Sequence, residues 1–233
     1  MKALKLIFVM AFLISFIQQG LAVGVRSVPV DNLFAPMGFN SNDNVEVVVS
    51  GFLPNLCYKD LRINPIVEGN RIKIDVKAND LSAPDVVCGE MIVPFLEEVQ
   101  LGVLDQGWYD VEVNGEINNE IYIEEAIDDA IEDEVLANVE VVVKDEYSRI
   151  IKLKGHNPSS CYEFEAFEVI DNGKDVYSVS PIMKKVSEFC PMKMVPFELE
   201  FEVPNDLKSD RLLIHVKSMY GNNLNSLFNN SAF

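Results

Sequence analysis

Two spaced phrases occur twice in this chain, in the same order and at nearly the same distance. GFLPNLCY at 51–58 returns as GHNPSSCY at 155–162, sharing GxxPxxCY; CGEMIVPF at 88–95 returns as CPMKMVPF at 190–197, sharing CxxxxVPF. The offsets are 104 and 102 residues. Two patterns with common order and spacing point to a tandem duplication, which limits the chain to folds that a unit of about 100 residues can adopt. The ends of the copies also align, with GWYDVEV at 107–113 over DRLLIHV at 210–216, so that Val111 lies over Ile214 and Val113 over Val216. The starts leave two readings. NVEVVV occurs at 44–49 and at 138–143, an offset of only 94, so either residues were inserted before Gly155 or IIKLKG at 150–155 is the counterpart of EVVVSG.

The informative segments are short, β-branched and alternating. RIKIDVKA at 71–78 places Ile72, Ile74 and Val76 on one face, ELEFEV at 198–203 does the same with Leu199, Phe201 and Val203, and LIHVK at 213–217 continues the pattern. That period of two is the mark of half-buried strands. Turn signals such as EGN at 68–70, DNGKD at 171–175 and PND at 204–206 separate the runs at sandwich or barrel spacing. The sequence therefore predicts an all-β protein of two tandem antiparallel β-sandwich domains. Their bounds are 23–120 and 138–228, flanked by a signal peptide over 1–22, an acidic connector over 121–137 and a flexible tail over 229–233.

The leader reading rests on Lys2 and Lys5 ahead of an apolar run from Leu6 to Ile17, with small residues at Gly20 and Ala22. It implies a secreted or periplasmic protein with no membrane insertion after the leader is removed. Lys2 and Lys5 leave with the leader, taking the formal net charge from −18 to −20. Such a charge repels phosphate backbones and anionic lipid surfaces, so nucleic acid is not expected as a partner. Only a local basic patch would override it, because salt screens charges beyond about 8 Å, and the sequence shows no Lys/Arg cluster of that kind.

LDQGWYDVEVNG at 104–115 resembles the LxxGxYxVxV phrase near the last strands of immunoglobulin-like and fibronectin-like modules. The resemblance implies an Ig-like sandwich in which Tyr109 sits at a strand corner, its hydroxyl bonded to backbone and its ring packed. The second copy has Leu212 at the matching place.

Four cysteines, two per copy, allow three pairings. A unit that folded alone before it was copied pairs its own two, which predicts Cys57–Cys88 and Cys161–Cys190 as intradomain disulfides. No CxxC is present and neither histidine has ligand spacing with the cysteines, so zinc and redox roles are set aside.

Other residues were weighed as sites. Asp128, Asp129, Glu132 and Asp133 are candidate calcium ligands at the junction, but no DxDxDG-type loop accompanies them, and a solvated acidic linker is the reading adopted. Ile123, Ile127, Ile131 and Val135 recur as on an amphipathic helix, whereas EIYI alternates like a strand. His215 falls in the outward register of its strand and His156 in the turn where the first copy has Phe52. With no nucleophile, GxSxG or HExxH beside them, both read as surface histidines. Trp108 and Tyr109 are neighbours in a strand, so one of them faces out and is a candidate for stacking on a sugar or anchoring a partner. NNS at 229–231 matches the N-glycosylation pattern.

No catalytic residue and no cofactor is expected. The function expected is that of an exported noncatalytic binding or interaction protein with a protein or glycan partner. The alternatives are a structural or assembly component of the cell surface and, behind it, a hydrolase with residues converging only in three dimensions.

Overall fold

A computed structural model describes residues 24–127, 135–145 and 147–232. The leader at 1–22 and the candidate calcium ligands Asp128, Asp129, Glu132 and Asp133 lie outside the described residues. Regular structure in the described residues is β throughout, apart from two short 3-10 turns at Met219–Gly221 and Asn230–Ala232. No helix among them is long and apolar enough to cross a membrane.

The N-terminal half holds β1 (Gly24–Ser27), β2 (Val30–Phe34), β3 (Phe39–Asn40), β4 (Val45–Leu53), β5 (Tyr58–Glu68), β6 (Arg71–Asp80), β7 (Val93–Gly102), β8 (Gly107–Val113) and β9 (Ile117–Glu124). One sheet has the order β2-β4-β7. The other runs β5-β6-β8-β9-β3, with β1 sharing an edge of β6 with β8. Ile72, Ile74 and Val76 from β6, Val111 and Val113 from β8, and Ile121 and Ile123 from β9 meet Val45, Val47 and Val49 of β4 in one core.

In the C-terminal half come β10 (Val139–Lys144), β11 (Ile150–Asn157), β12 (Tyr162–Asp171), β13 (Val176–Lys185), β14 (Val195–Glu202), β15 (Arg211–Val216) and β16 (Leu224–Asn229). They form sheets of order β10-β11-β14 and β12-β13-β15-β16. Ile151, Leu153 and Phe201 of one sheet pack on Tyr177, Val179, Leu212, Ile214 and Val216 of the other. Pairing is the same in both halves: β10 lies on β11 as β2 lies on β4, so IIKLKG, not the second NVEVVV, takes the place of EVVVSG.

Antiparallel pairing alone was expected, and the structure corrects this. β6 and β8 run parallel, as do β13 and β15 and the short β3 with β9. For β6/β8 and β13/β15 the reason is the path of β7 and β14, each of which crosses to the opposite sheet and returns the chain beside its starting strand in the same direction. Parallel neighbours need such a long crossover.

Two boundaries also move. Residues 121–124, read as the start of the acidic connector, complete β9, where Ile121 and Ile123 are fully buried. The tail read as flexible is tied down. Asn229 closes β16 opposite Arg211, and Asn230 donates to the carbonyls of Leu207 and Ser209 at 3.2 and 3.0 Å while accepting from Arg149 at 2.9 Å.

The repeated phrases meet in space. Gly51, Phe52 and Leu53 pair across the sheet with Phe95, Pro94 and Val93, and Gly155, His156 and Asn157 pair with Phe197, Pro196 and Val195. Each glycine lies under a phenylalanine ring and against an arriving backbone. A Cβ on Gly51 would stand 2.7 Å from the Phe95 ring and overlap the Pro29 carbonyl, and one on Gly155 would stand 3.0 Å from the Phe197 ring and overlap the Asn138 carbonyl. Both prolines sit in edge strands, where their missing N–H interrupts no ladder.

Tyr109 is buried and its hydroxyl donates to the Asp105 carbonyl at 3.0 Å, four residues upstream, tying the chain end that enters β8. In the C-terminal half Leu212 is buried in the core, and the equivalent loop is held from another strand. Tyr177 of β13 donates to the Asp206 carboxylate and accepts the Leu207 N–H at 3.2 Å. Burial first, and then the Asp206 carboxylate, push the Tyr177 hydroxyl up to about 12. Tyr109→Phe is expected to lower stability by about 1 kcal/mol and Tyr177→Phe by about 2 kcal/mol, since the second deletes a hydrogen bond to a charged acceptor and leaves the Leu207 N–H without its acceptor. Urea unfolding of the two variants, giving equal losses, would contradict this assignment.

Candidate functional site

Beyond each repeated phrase the chain forms a loop held by a disulfide. Cys57 is bonded to Cys88 and Cys161 to Cys190, each with Cα atoms 5.4 Å apart and closing 31 and 29 residues. Chain-entropy arithmetic for loops of that length gives about 3 to 4 kcal/mol per bridge. The turns beneath them are built alike. The Cys57 N–H donates to Asn55 Oδ1 at 2.9 Å and the Cys161 N–H to Ser159 Oγ at 3.1 Å. The Cys57 carbonyl accepts from Leu81 and the Cys161 carbonyl from Val186, at 3.1 and 2.8 Å, so both loops start from a fixed base.

What these loops carry is apolar and exposed. Between β6 and β7, Val86, Met91 and Ile92 stand out with Val87, which is 97% exposed. Between β13 and β14, Val186 and Met194 stand out with Phe189, 89% exposed, and Met192, which is fully exposed. Single exposed apolar residues are ordinary, but a cluster of this kind at one tip marks an interaction surface. The charges beside them differ. The first loop contains Asp85 and Glu90; the second contains Lys193 and Glu188, and Lys184 and Lys185 close the strand that leads into it.

The other built feature is the contact between the halves. Phe34, Val48 and Leu96, on the outer face of the β2-β4-β7 sheet, pack on Val176, Leu213 and Leu227 from β13, β15 and β16. A polar group adjoins them. Glu46 is buried and its Oε2 accepts from Gln100 at 2.7 Å, while its Oε1 accepts from Asn225 at 2.8 Å and lies 3.4 Å from His215 Nδ1. Asn225 also donates to Glu98 at 2.8 Å. Further along, Lys217 donates to the Gly38 carbonyl at 2.8 Å and to Asp43 at 3.2 Å, on the wall of a cavity of about 210 Å³.

His215 is thus not a surface residue. It is 0% exposed, because the outer face of β15 is covered by the N-terminal half, a contact that strand alternation cannot encode. Its Nδ1 lies 3.0 Å from Asn225 Oδ1, an acceptor, which fixes the proton on Nδ1; Nε2 is buried and has no partner among the described residues. Desolvation holds the imidazole below its usual range, against the pull of Glu46.

Trp108 is 57% exposed beside Tyr122, with ring centroids 5.0 Å apart, and Tyr109 turns inward. His156 is half-buried on β11, its Nδ1 3.1 Å from the Glu140 carboxylate. The structure does not bring His156, His215 and Trp108 together. Asp43, Glu124, Glu125 and Glu168 line the cavity at the junction, and among the described residues no group of three or more His, Cys, Asp or Glu is placed to hold a metal ion.

Sequence reasoning passed over Val87, Phe189 and Met192. The available signal was an apolar run in a turn region, VVCGEMIV and FCPMKMV, with neither strand nor helix period.

Two facing sheets around one core, stapled by a disulfide, make the N-terminal half a β-sandwich. Residues 47–123, from within β4 to within β9, match the family model described as the ORF11 beta-sandwich domain. Nothing matches among curated proteins or among solved structures.

Proposed function

We propose that the protein is an exported, noncatalytic interaction protein made of two tandem Ig-like β-sandwich domains that arose by duplication, and that its stapled loops contact the partner. The observation that carries this reading is the exposure of Val87, Phe189 and Met192 on loops whose bases are fixed by disulfides. A covalent staple lowers the ordering cost of presenting a loop, so apolar side chains held this way favour binding over mere tolerance of exposure. Disulfides belong to oxidising compartments, which supports export. The shared pairing scheme of the two halves, down to the glycine under each VPF phenylalanine, supports duplication.

The test is retention of envelope or extracellular components of the source cell on immobilised protein. Val87→Ser/Met91→Ser or Phe189→Ser/Met192→Ser is expected to weaken a saturable interaction at least tenfold, with circular dichroism unchanged. Retention that survives both double variants defeats the proposal. A second reading, assembly with further copies, draws on β5 and β12, which each leave one edge without a partner strand among the described residues. Concentration-dependent light scattering by the intact chain would favour it, although Pro65 and the bulge between Lys59 and Arg62 blunt the β5 edge.

A further inference from the structure

The two stapled tips are not equivalent. Across residues 184–194 every residue is exposed except Cys190, which is half-buried, and the segment carries Lys184, Lys185 and Lys193 against Glu188. From the neighbouring strand Glu163 stands opposite Lys184 and Tyr162 opposite Lys185. Counting Glu163, the tip remains net positive in a chain of formal net charge −18. It also holds the most exposed aromatic and thioether side chains of the described residues, Phe189 and Met192. A positive collar around an apolar point matches a surface that is anionic outside and hydrocarbon within.

We infer that the tip at 184–194 docks on a membrane surface bearing anionic lipid, with Val186, Phe189, Met192 and Met194 entering the interface and the three lysines at headgroup level. This deepens the interaction reading above and rests on it. Interfacial apolar groups reach about 5–10 Å into the headgroup boundary, the scale of a loop tip, and no spanning segment is required. The acidic remainder of the protein does not forbid the approach, because its repulsion is screened beyond about 8 Å at physiological salt. The sequence taken as a whole argues against anionic lipid; three lysines gathered at one tip reverse the sign locally. The opposite tip, with Asp85 and Glu90 beside Val87, lacks the collar.

The experiment is flotation of the mature chain with phosphatidylcholine vesicles, with and without phosphatidylglycerol, at low and at physiological salt. Binding is expected only with phosphatidylglycerol, and weaker as salt rises. Lys184→Gln/Lys185→Gln/Lys193→Gln is expected to lower partitioning about a hundredfold, at about fivefold per lysine. Phe189→Ser/Met192→Ser is expected to lose at least tenfold. Equal partitioning on both vesicle types overturns the inference. So does loss in the lysine variant with none in the Phe189/Met192 variant, which would mark a purely electrostatic contact with some other polyanion. No flotation at all, together with a protein partner still released by Phe189→Ser/Met192→Ser, overturns the lipid assignment and leaves the interaction reading standing.

Discussion

Gly155→Ala is expected to lower the unfolding free energy by about 3 kcal/mol, and Gly51→Ala by a similar amount, at the upper end of what overpacking costs. In each case the added methyl overlaps a backbone carbonyl, Asn138 or Pro29, and presses on the phenylalanine of the paired VPF phrase. Backbone in a paired strand cannot step aside as a flexible side chain can. Relief requires β10 to leave β11, or β2 to leave β4, along with the bulge that both pairs carry at the equivalent place, between Val139 and Val141 and between Val30 and Asn32. Gly24→Ala is the contrast, because the nearest atom to its Cβ is the end of the Arg26 side chain at 3.8 Å, and it should stay within about 0.5 kcal/mol of the parent. Chemical denaturation of the three variants decides the matter; a Gly155→Ala protein as stable as Gly24→Ala would show that the close approach is not what the glycine serves.

Acid should weaken the contact between the halves before it titrates the ordinary carboxylates. The folded protein keeps His215 neutral, by burial, and so binds its proton less readily than the unfolded chain does. Stability is therefore whole above the unfolded value of about 6.5 and falls as pH drops below it, with a limiting slope of about 1.4 kcal/mol per pH unit for one proton. Protonation would also place an N–H on Nε2, which faces no acceptor among the described residues. The charged groups around the ring do not all favour one state: Glu46 supports the cation, while Lys217 opposes it. Glu98 reaches the ring only through Asn225, and Asp43 is held by Lys217. Thermal melts between pH 7.5 and pH 5 are expected to show the decline, and His215→Gln to flatten it. An unchanged slope in that variant would assign the acid sensitivity elsewhere, and not to Asp175, whose carboxyl is raised by burial and so favours the folded state as pH falls.

Much of this architecture is legible in the letters. The doubled phrases locate both staples and both edge pairings, because glycine, proline and cysteine each answer a backbone requirement that substitution does not meet. Alternation in RIKIDVKA and ELEFEV finds strands whose second face meets water. What it does not find is a second partner. VEVVV occurs twice with the same letters. In β4 both of its faces are buried, one in the core and one against the C-terminal half, whereas in β10 it is an edge strand with Val141 and Val143 exposed. His215 is misplaced for the same reason, its cover being a sheet more than 100 residues distant in the chain. The glutamate inside VEVVV and the histidine inside LLIHV were the only local hints of Glu46 and His215. The tyrosine that ties the loop before β15 was equally hidden, since it comes from β13 and not from the position matching Tyr109.

The order of contacts between the halves sets how the molecule carries force. Leu213 meets the Val48 region, His215 meets Glu46 and Lys217 meets Asp43, so the contacts descend β4 as they climb β15. β4 leads toward the first stapled tip, and β15 runs beside β13 toward the second. The tips therefore leave the protein at opposite ends. A load applied between them slides one sheet along the other, so the apolar patch, the Glu46 group and the Lys217 pair resist together, as a lap joint does, instead of opening one after another like a zip.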